Sequence, residues 1–302
     1  MEKVVTKYSK DFRFNKNQPI ILGLAGKAGS GKTSVAEQIV PKGSIETIKN
    51  NIKWDHIFYA LPLYELASIK KNIKGSNFKS RKLYAIHEVL YELYGGSPIG
   101  FVPDYEELVR MVMEIESLPI EAEGIKPRDF LQKAGDICRE KRQTVFADWA
   151  IMKSVKAFRS FSRSFESEEE TPAFCMVISD VRYANEAESI LKQPNGIVVC
   201  FDADQEVLNE RLIKRDGKLM SEEQSMHRSE NEISLVKEMA TSVVYTDDMS
   251  LEHQTEVTLK IIECLKYRET PTKKLMDHQS IRWFLIWPQR SVCQVIQFLF
   301  VV

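Results

Sequence analysis

Eight residues near the amino terminus, Gly26-Lys27-Ala28-Gly29-Ser30-Gly31-Lys32-Thr33, carry the spacing G-x-x-x-x-G-K-[ST]. Glycines in such a turn let successive backbone N–H groups wrap phosphate oxygens, and a following helix start adds positive potential. Lys32, expected as an exposed loop lysine, would reach the β- and γ-phosphates, and Thr33 offers a hydroxyl to Mg²⁺. The pattern predicts ATP and Mg²⁺ as the bound pair. Further along, Asp180 and Arg182 follow an apolar run and should emerge at the carboxyl end of a sheet, where ligands of open α/β sheets gather. There Asp180 would order the Mg²⁺ shell, directly or through water, and Arg182 would neutralise transferring charge. A plainer reading stays open: Asp180 caps the helix starting near Asn185, and Arg182 pairs with a surface acid such as Glu186. Arg211 and Arg215, four apart on a helical pattern, share a face and form either a phosphate clamp or a solvated basic surface.

These residues need a frame to hold them. The run Pro19-Ile20-Ile21-Leu22-Gly23-Leu24-Ala25 reads as a short buried strand, and Thr33 to Val40 as a helix stopped by Pro41. The glycine motif therefore lies between strand and helix, the context it requires. Apolar runs at 174–179 and 196–201 are too short for helices and are flanked by helical patterns, so buried parallel strands are predicted. A last strand is expected at about 242–246, before a helix from Ser250 to about Tyr267. Residues 70–127 hold helical patterns at 82–94 and 104–117 and read as an insertion. Its Tyr84, Tyr91, Tyr94, Met111 and Met113 are expected to form a core. Another helix is predicted from Arg128 through Lys156, broken near Gln143-Thr144, followed by an exposed loop at 160–171. The whole predicts a three-layer α/β fold of the P-loop NTPase kind over 19–268, with a mostly parallel sheet, the helical insertion at 70–127 and a short lid at 205–231. Residues 1–18 are polar and lysine-rich. Residues 269–302 form a tail of no assigned role, whose apolar stretches are interrupted and fall short of the roughly 20 residues that span a bilayer.

A chain of 302 residues, 43% hydrophobic and 28% charged, has apolar material for one large domain with an insertion. Its 42 Lys and Arg against 43 Asp and Glu give no whole-chain attraction to nucleic acid, so phosphate binding must be local. The partner expected is a small nucleotide, with neither nucleic acid nor membrane involved; a homodimer is left open. Five cysteines are scattered without a C-x-x-C pair, which suggests no disulfide framework or zinc site and fits a reducing cytoplasm. His56, His87, His253 and His278 lack metal-ligand spacing, and His227 reads as a surface histidine. No apolar h-region follows the first residues, so no secretory signal is expected.

Beyond the glycine motif, several segments resemble the phage-type deoxynucleoside monophosphate kinases, within the wider P-loop nucleoside monophosphate kinase group. They are Phe58-Tyr59-Ala60-Leu61-Pro62-Leu63, Tyr94-Gly95-Gly96-Ser97-Pro98-Ile99, Arg128-Asp129-Phe130-Leu131-Gln132-Lys133-Ala134-Gly135 with Trp149 after it, Ser179 to Glu186, and Asp247 to Glu252. The likeness spans roughly residues 20 to 265. It implies ATP phosphates at Gly26 to Thr33, acceptor contacts near Arg128 and Gln132, catalysis helped by Asp180 and Arg182, and lid arginines at Arg211 and Arg215. Leu61 stands where the family often has a polar or acidic residue, and Asp248 replaces a usual glycine, a position where Asp tolerates left-handed backbone. The resemblance implies transfer of the γ-phosphoryl group of ATP to a deoxynucleoside monophosphate. Two rivals remain: a kinase of another phosphorylated acceptor such as dephospho-coenzyme A, and a P-loop ATPase or switch protein acting on DNA or a protein partner.

Overall fold

The structure, a computed structural model, describes residues 3–8, 14–40, 48–49, 51–73, 79–95, 103–121, 127–165, 172–219, 221, 226, 228–266 and 294–299. His227, the turn at 96–99, the second half of the loop expected at 160–171, part of the lid region and most of the tail lie outside the described residues.

Ile20–Ala25 (β2) is buried along its whole length. Ile20, Leu22 and Leu24 pack on one side of the sheet and Ile21 and Ala25 on the other, the alternation that a strand's period of two imposes. Five parallel strands make the centre: Ile52–Ile57 (β4), Ala173–Val181 (β5), β2, Asn195–Asp202 (β6) and Ser242–Tyr245 (β7), in that spatial order. Antiparallel strands close both edges. Ile48–Lys49 (β3) lies beside β4, while Lys3–Tyr8 (β1) pairs with β7 and then with Gln294–Leu299 (β8).

One face is covered by Lys32–Ile39 (α1) and Leu251–Lys266 (α11), which contribute Val35, Ala36, Ile39, Val257, Ile261 and Ile262. The other carries Leu61–Asn72 (α2), Lys79–Gly95 (α3), Tyr105–Ser117 (α4), Arg128–Lys141 (α5), Val145–Ser162 (α6), Ala184–Leu191 (α7) and Ile233–Met239 (α10). Gln205–Asp216 (α8) and the single turn Arg228–Asn231 (α9) complete the chain order. The layering follows from strands that are apolar on both faces: each face must be covered, and fully burying one Leu or Ile contributes about 1.5–3 kcal/mol.

The helices of the expected insertion share one continuous core with the sheet, from Ile57, Met176 and Val198 out to Leu90, Met111 and Ile115. Tyr94 and Met111 are buried as expected, but Tyr84, Tyr91 and Met113 are exposed, because α3 and α4 turn only one stripe inward. The break between α5 and α6 falls where Gln143-Thr144 predicts it. Among the elements that escape the sequence pattern are β1, β3, β4, α2, α10 and β8. The polar leader and the tail each supply an antiparallel strand on the β7 side, so the sheet draws on residues beyond 19–268 at both ends of the chain. Cys138, Cys175 and Cys200 are buried free thiols; burial pushes Cys138 and Cys200 up to about 12 and Cys175 well above its ordinary value. Among the described residues no helix is long and apolar enough to cross a membrane.

Candidate functional site

At the end of β2, Ala25 is in register with Val181 of β5, so the glycine-rich loop and the residues around Asp180 emerge side by side. The loop is threaded too tightly for side chains. Gly26 has φ 139°, and a Cβ there would lie 2.4 Å from the Phe201 carbonyl; at Gly29, with φ 87°, it would lie 2.8 Å from the Leu208 carbonyl of α8. Gly31 then caps α1. Lys32 is not the exposed lysine expected: it is 5% exposed, and its ammonium donates to the Lys27 carbonyl at 3.0 Å. Thr33 is exposed on the first turn of α1. Ser30 Oγ is buried with no hydrogen-bond partner, and Lys27 Nζ donates to Gln205 Oε1 on α8 at 3.2 Å.

Asp180 acts as a brace for α2. Its Oδ1 accepts the Tyr59 N–H at 2.6 Å and its Oδ2 the Ala60 N–H at 2.9 Å, at a helix start whose own N-cap, Ala60, has no acceptor. The capping reading of Asp180 therefore holds in kind, but the helix is α2 and not the one near Asn185. That helix, α7, is capped by its own Glu186, which accepts the N–H groups of Arg182 at 2.9 Å and Tyr183 at 3.2 Å. Glu186 is 2% exposed, so it is no surface acid, and it meets Arg182 through the backbone. Its other oxygen receives Arg139 from α5 at 3.4 Å. Burial pushes the Glu186 carboxyl up to about 7, with Arg139 pulling the other way.

One carboxylate gathers two of the arginines. Asp216, the last residue of α8, lies 2.7 Å from Arg128 at the start of α5, and takes Arg215 through both Nε at 2.8 Å and Nη2 at 2.7 Å. These bonds, Arg215 foremost, hold the Asp216 carboxyl well below the usual carboxylate range. Tyr64 of α2 faces the same group: burial raises its phenol, Asp180 adds to that, and Arg182, Arg128 and Arg215 oppose it. Arg128, Arg182, Arg215 and Asp180 thus all act electrostatically on Tyr64. Gln132 lies one turn beyond Arg128 and is half-buried. Arg211 goes elsewhere, donating to Thr246 Oγ1 at 3.1 Å and to its carbonyl at 2.5 Å, so the pair expected to act from one helix face is split. Asp247 accepts the Asp204 N–H at 2.6 Å, and Asp248 does not take left-handed backbone.

A cavity of about 110 Å³ opens beside α2, with Leu61, Pro62, Glu65, Glu92, Trp149 and Lys153 in its wall. Lys153 pairs with Glu92 and lies 5.8 Å from the Trp149 ring centroid. Among the described residues no group of three His, Cys, Asp or Glu could hold a metal by itself. Sequence reasoning missed Tyr64, Asp216, Arg139 and the part Glu186 plays. Only the adjacency of Arg215, Asp216 and Gly217 carried a signal.

The molecule is thus an α/β protein with a five-stranded parallel sheet at its centre. No family model matches the sequence, and no curated protein matches it. Among solved structures it is similar to TT1252 from Thermus thermophilus, with 17% identity and a TM-score of 0.37 over 82% of this chain and 97% of that one. It is also similar to an uncharacterized protein from Eubacterium ventriosum ATCC 27560, with 14% identity and a TM-score of 0.31 over 82% and 99% of the two chains. Neither likeness assigns a function.

Proposed function

We propose that this chain is a P-loop kinase that moves the γ-phosphoryl group of ATP to a small phosphorylated acceptor, a deoxynucleoside monophosphate by preference. The observation that supports the reading is the register of Ala25 with Val181, which brings the glycine-rich loop after β2 beside the end of β5, where Arg182 follows. Backbone N–H groups of Gly26 to Thr33 bind the nucleotide phosphates, and Lys32 leaves the Lys27 carbonyl to meet them. Mg²⁺ carried on nucleotide phosphates takes one or two protein oxygens and water. Thr33 would supply a hydroxyl, and Asp180, whose two oxygens accept the Tyr59 and Ala60 N–H groups, would act through water; the metal would offset phosphate charge.

Arg128, Arg182 and Arg215 receive the acceptor phosphate and the charge that shifts during transfer. Asp180 also fixes the start of α2, whose Leu61, Pro62 and Glu65 line the cavity beside Trp149. Transfer itself needs alignment and charge neutralisation and no protein nucleophile. ADP release from Mg·ATP across a panel of deoxynucleoside and nucleoside monophosphates and dephospho-coenzyme A tests the reading. Release that requires a deoxynucleoside monophosphate supports it. Release that needs dephospho-coenzyme A, or proceeds equally in the acceptor-free control, replaces it with one of the rivals.

A further inference from the structure

We infer that the buried pair Arg139 and Glu186 is a positioning device that fixes Arg182 relative to Arg128, so that the two guanidinium groups grip one phosphate. The inference rests on the anion-binding part of the kinase reading. Arg128 and Arg139 are opposite ends of one rigid helix, α5. Arg182 lies in the short turn between β5 and α7. The two would be independent but for Glu186, whose one oxygen holds the Arg182 and Tyr183 N–H groups while the other takes Arg139.

The clamp is tight at each joint. The Arg139 guanidinium carbon lies 4.0 Å from the Tyr183 ring centroid and 4.6 Å from that of Phe146, so the cation is held between two aromatic faces. The next N–H, that of Ala184, is accepted by Glu232 at 3.0 Å. Three consecutive amides, 182 to 184, are therefore pinned by carboxylates. Capping α7 needs only an acid at Glu186, which the positive helix start already favours. Drawing a guanidinium in from α5 exceeds that need. Nor does stability account for it, since a buried ion pair gains little over a well-packed apolar pair of the same size. What the pair does supply is a fixed distance between α5 and the Arg182 turn.

Titration calorimetry with inorganic phosphate on the full chain tests this without requiring turnover. Glu186→Gln and Arg139→Met are expected to weaken phosphate binding at least tenfold, with Arg139→Lys in between because it keeps the charge and loses the planar stack. In an Arg182→Ala background the Glu186→Gln change is expected to cost less than twofold, because the residue it positions is gone. If Arg139→Met does not fold, Glu186→Gln and Arg139→Lys carry the test. Phosphate binding within twofold of wild type in Glu186→Gln, additive losses in the double variant, or no phosphate binding by the wild type would each overturn the inference. A wild type that binds phosphate with these couplings, yet transfers nothing from ATP to any acceptor, would instead sink the kinase reading alone.

Discussion

Residues 26–33 fold on instructions in their own sequence, whereas Arg128 and Arg215 are brought together only by the tertiary fold, through Asp216 at the end of α8. The loop's shape comes from glycines placed where a Cβ would strike the Phe201 or Leu208 carbonyl. The arginine pair has no such local cause: Arg128 and Asp216 are 88 residues apart, and Asp216 is what joins the two cations. One half of the site is therefore rigid by backbone geometry, and the other is held by charge. Charge-held groups rearrange when a competing anion arrives, so the second half is where a substrate can change the molecule.

The largest expected effect is on the loop: Lys32→Ala abolishes transfer and the ATP-induced rise in melting temperature. Because Lys32 is buried on the Lys27 carbonyl, the variant also loses about 1 kcal/mol of stability by denaturant unfolding. A turnover number near that of wild type would remove the loop from the mechanism. Next comes Arg182→Ala, with kcat down on the order of a thousandfold, partial recovery in Arg182→Lys, and an unchanged melting temperature without ligand. A rate within twofold of wild type at saturating substrates rejects its role.

Asp180→Ala links the two halves, since it leaves the Tyr59 and Ala60 N–H groups without their acceptor. It should cost about 1–3 kcal/mol of stability and lower kcat as α2 shifts, with Asp180→Asn intermediate. Stability equal to wild type would show that α2 does not depend on the brace.

A smaller effect, in the opposite direction, is expected at Asp216. Asp216→Asn removes the carboxylate that Arg128 and Arg215 share and should tighten acceptor binding several-fold at low salt, less so as salt screens the cations. Weaker binding would mean that Asp216 orders the arginines rather than competing with the phosphate. The carboxyl is depressed in the folded state, so its contribution to stability is complete above pH about 4 and is lost as pH falls through the folded value. Wild type and Asp216→Asn should therefore differ in stability near neutrality and converge in strong acid.

The least effect is expected from removing residues 269–302. The cut deletes β8 and uncovers β1, lowering the melting temperature by a few degrees, while kcat stays within twofold because β8 lies at the sheet edge away from β2 and β5. Loss of activity in a folded truncation would place the tail in the site.

The central strands were legible because their apolar runs are continuous, and the loop because its glycines are constrained where they stand. By contrast, β4 reads Ile-Lys-Trp-Asp-His-Ile and is a parallel strand only because β5 offers it a partner. In the same way β1 and β8 are polar or interrupted segments that take extended form by pairing with each other. At the site, Asp180 and Arg182 were found by their place after an apolar run, but the true partner of Asp180 was hidden, since Tyr59 and Ala60 contribute only backbone. The spacing of Arg211 and Arg215 predicted a shared helix face. What separates them is the reach of a long side chain to Thr246, which helical periodicity does not contain.

The three deeply buried thiols divide between the two sides of the sheet, Cys138 and Cys200 in the core under α2–α7 and Cys175 in the core under α1 and α11. A thiol held this far into its protonated form does not attack a labelling reagent while the structure is closed. Each therefore reacts only as fast as its own layer lifts from the sheet, and the molecule carries chemical clocks that time the opening of its two sides separately.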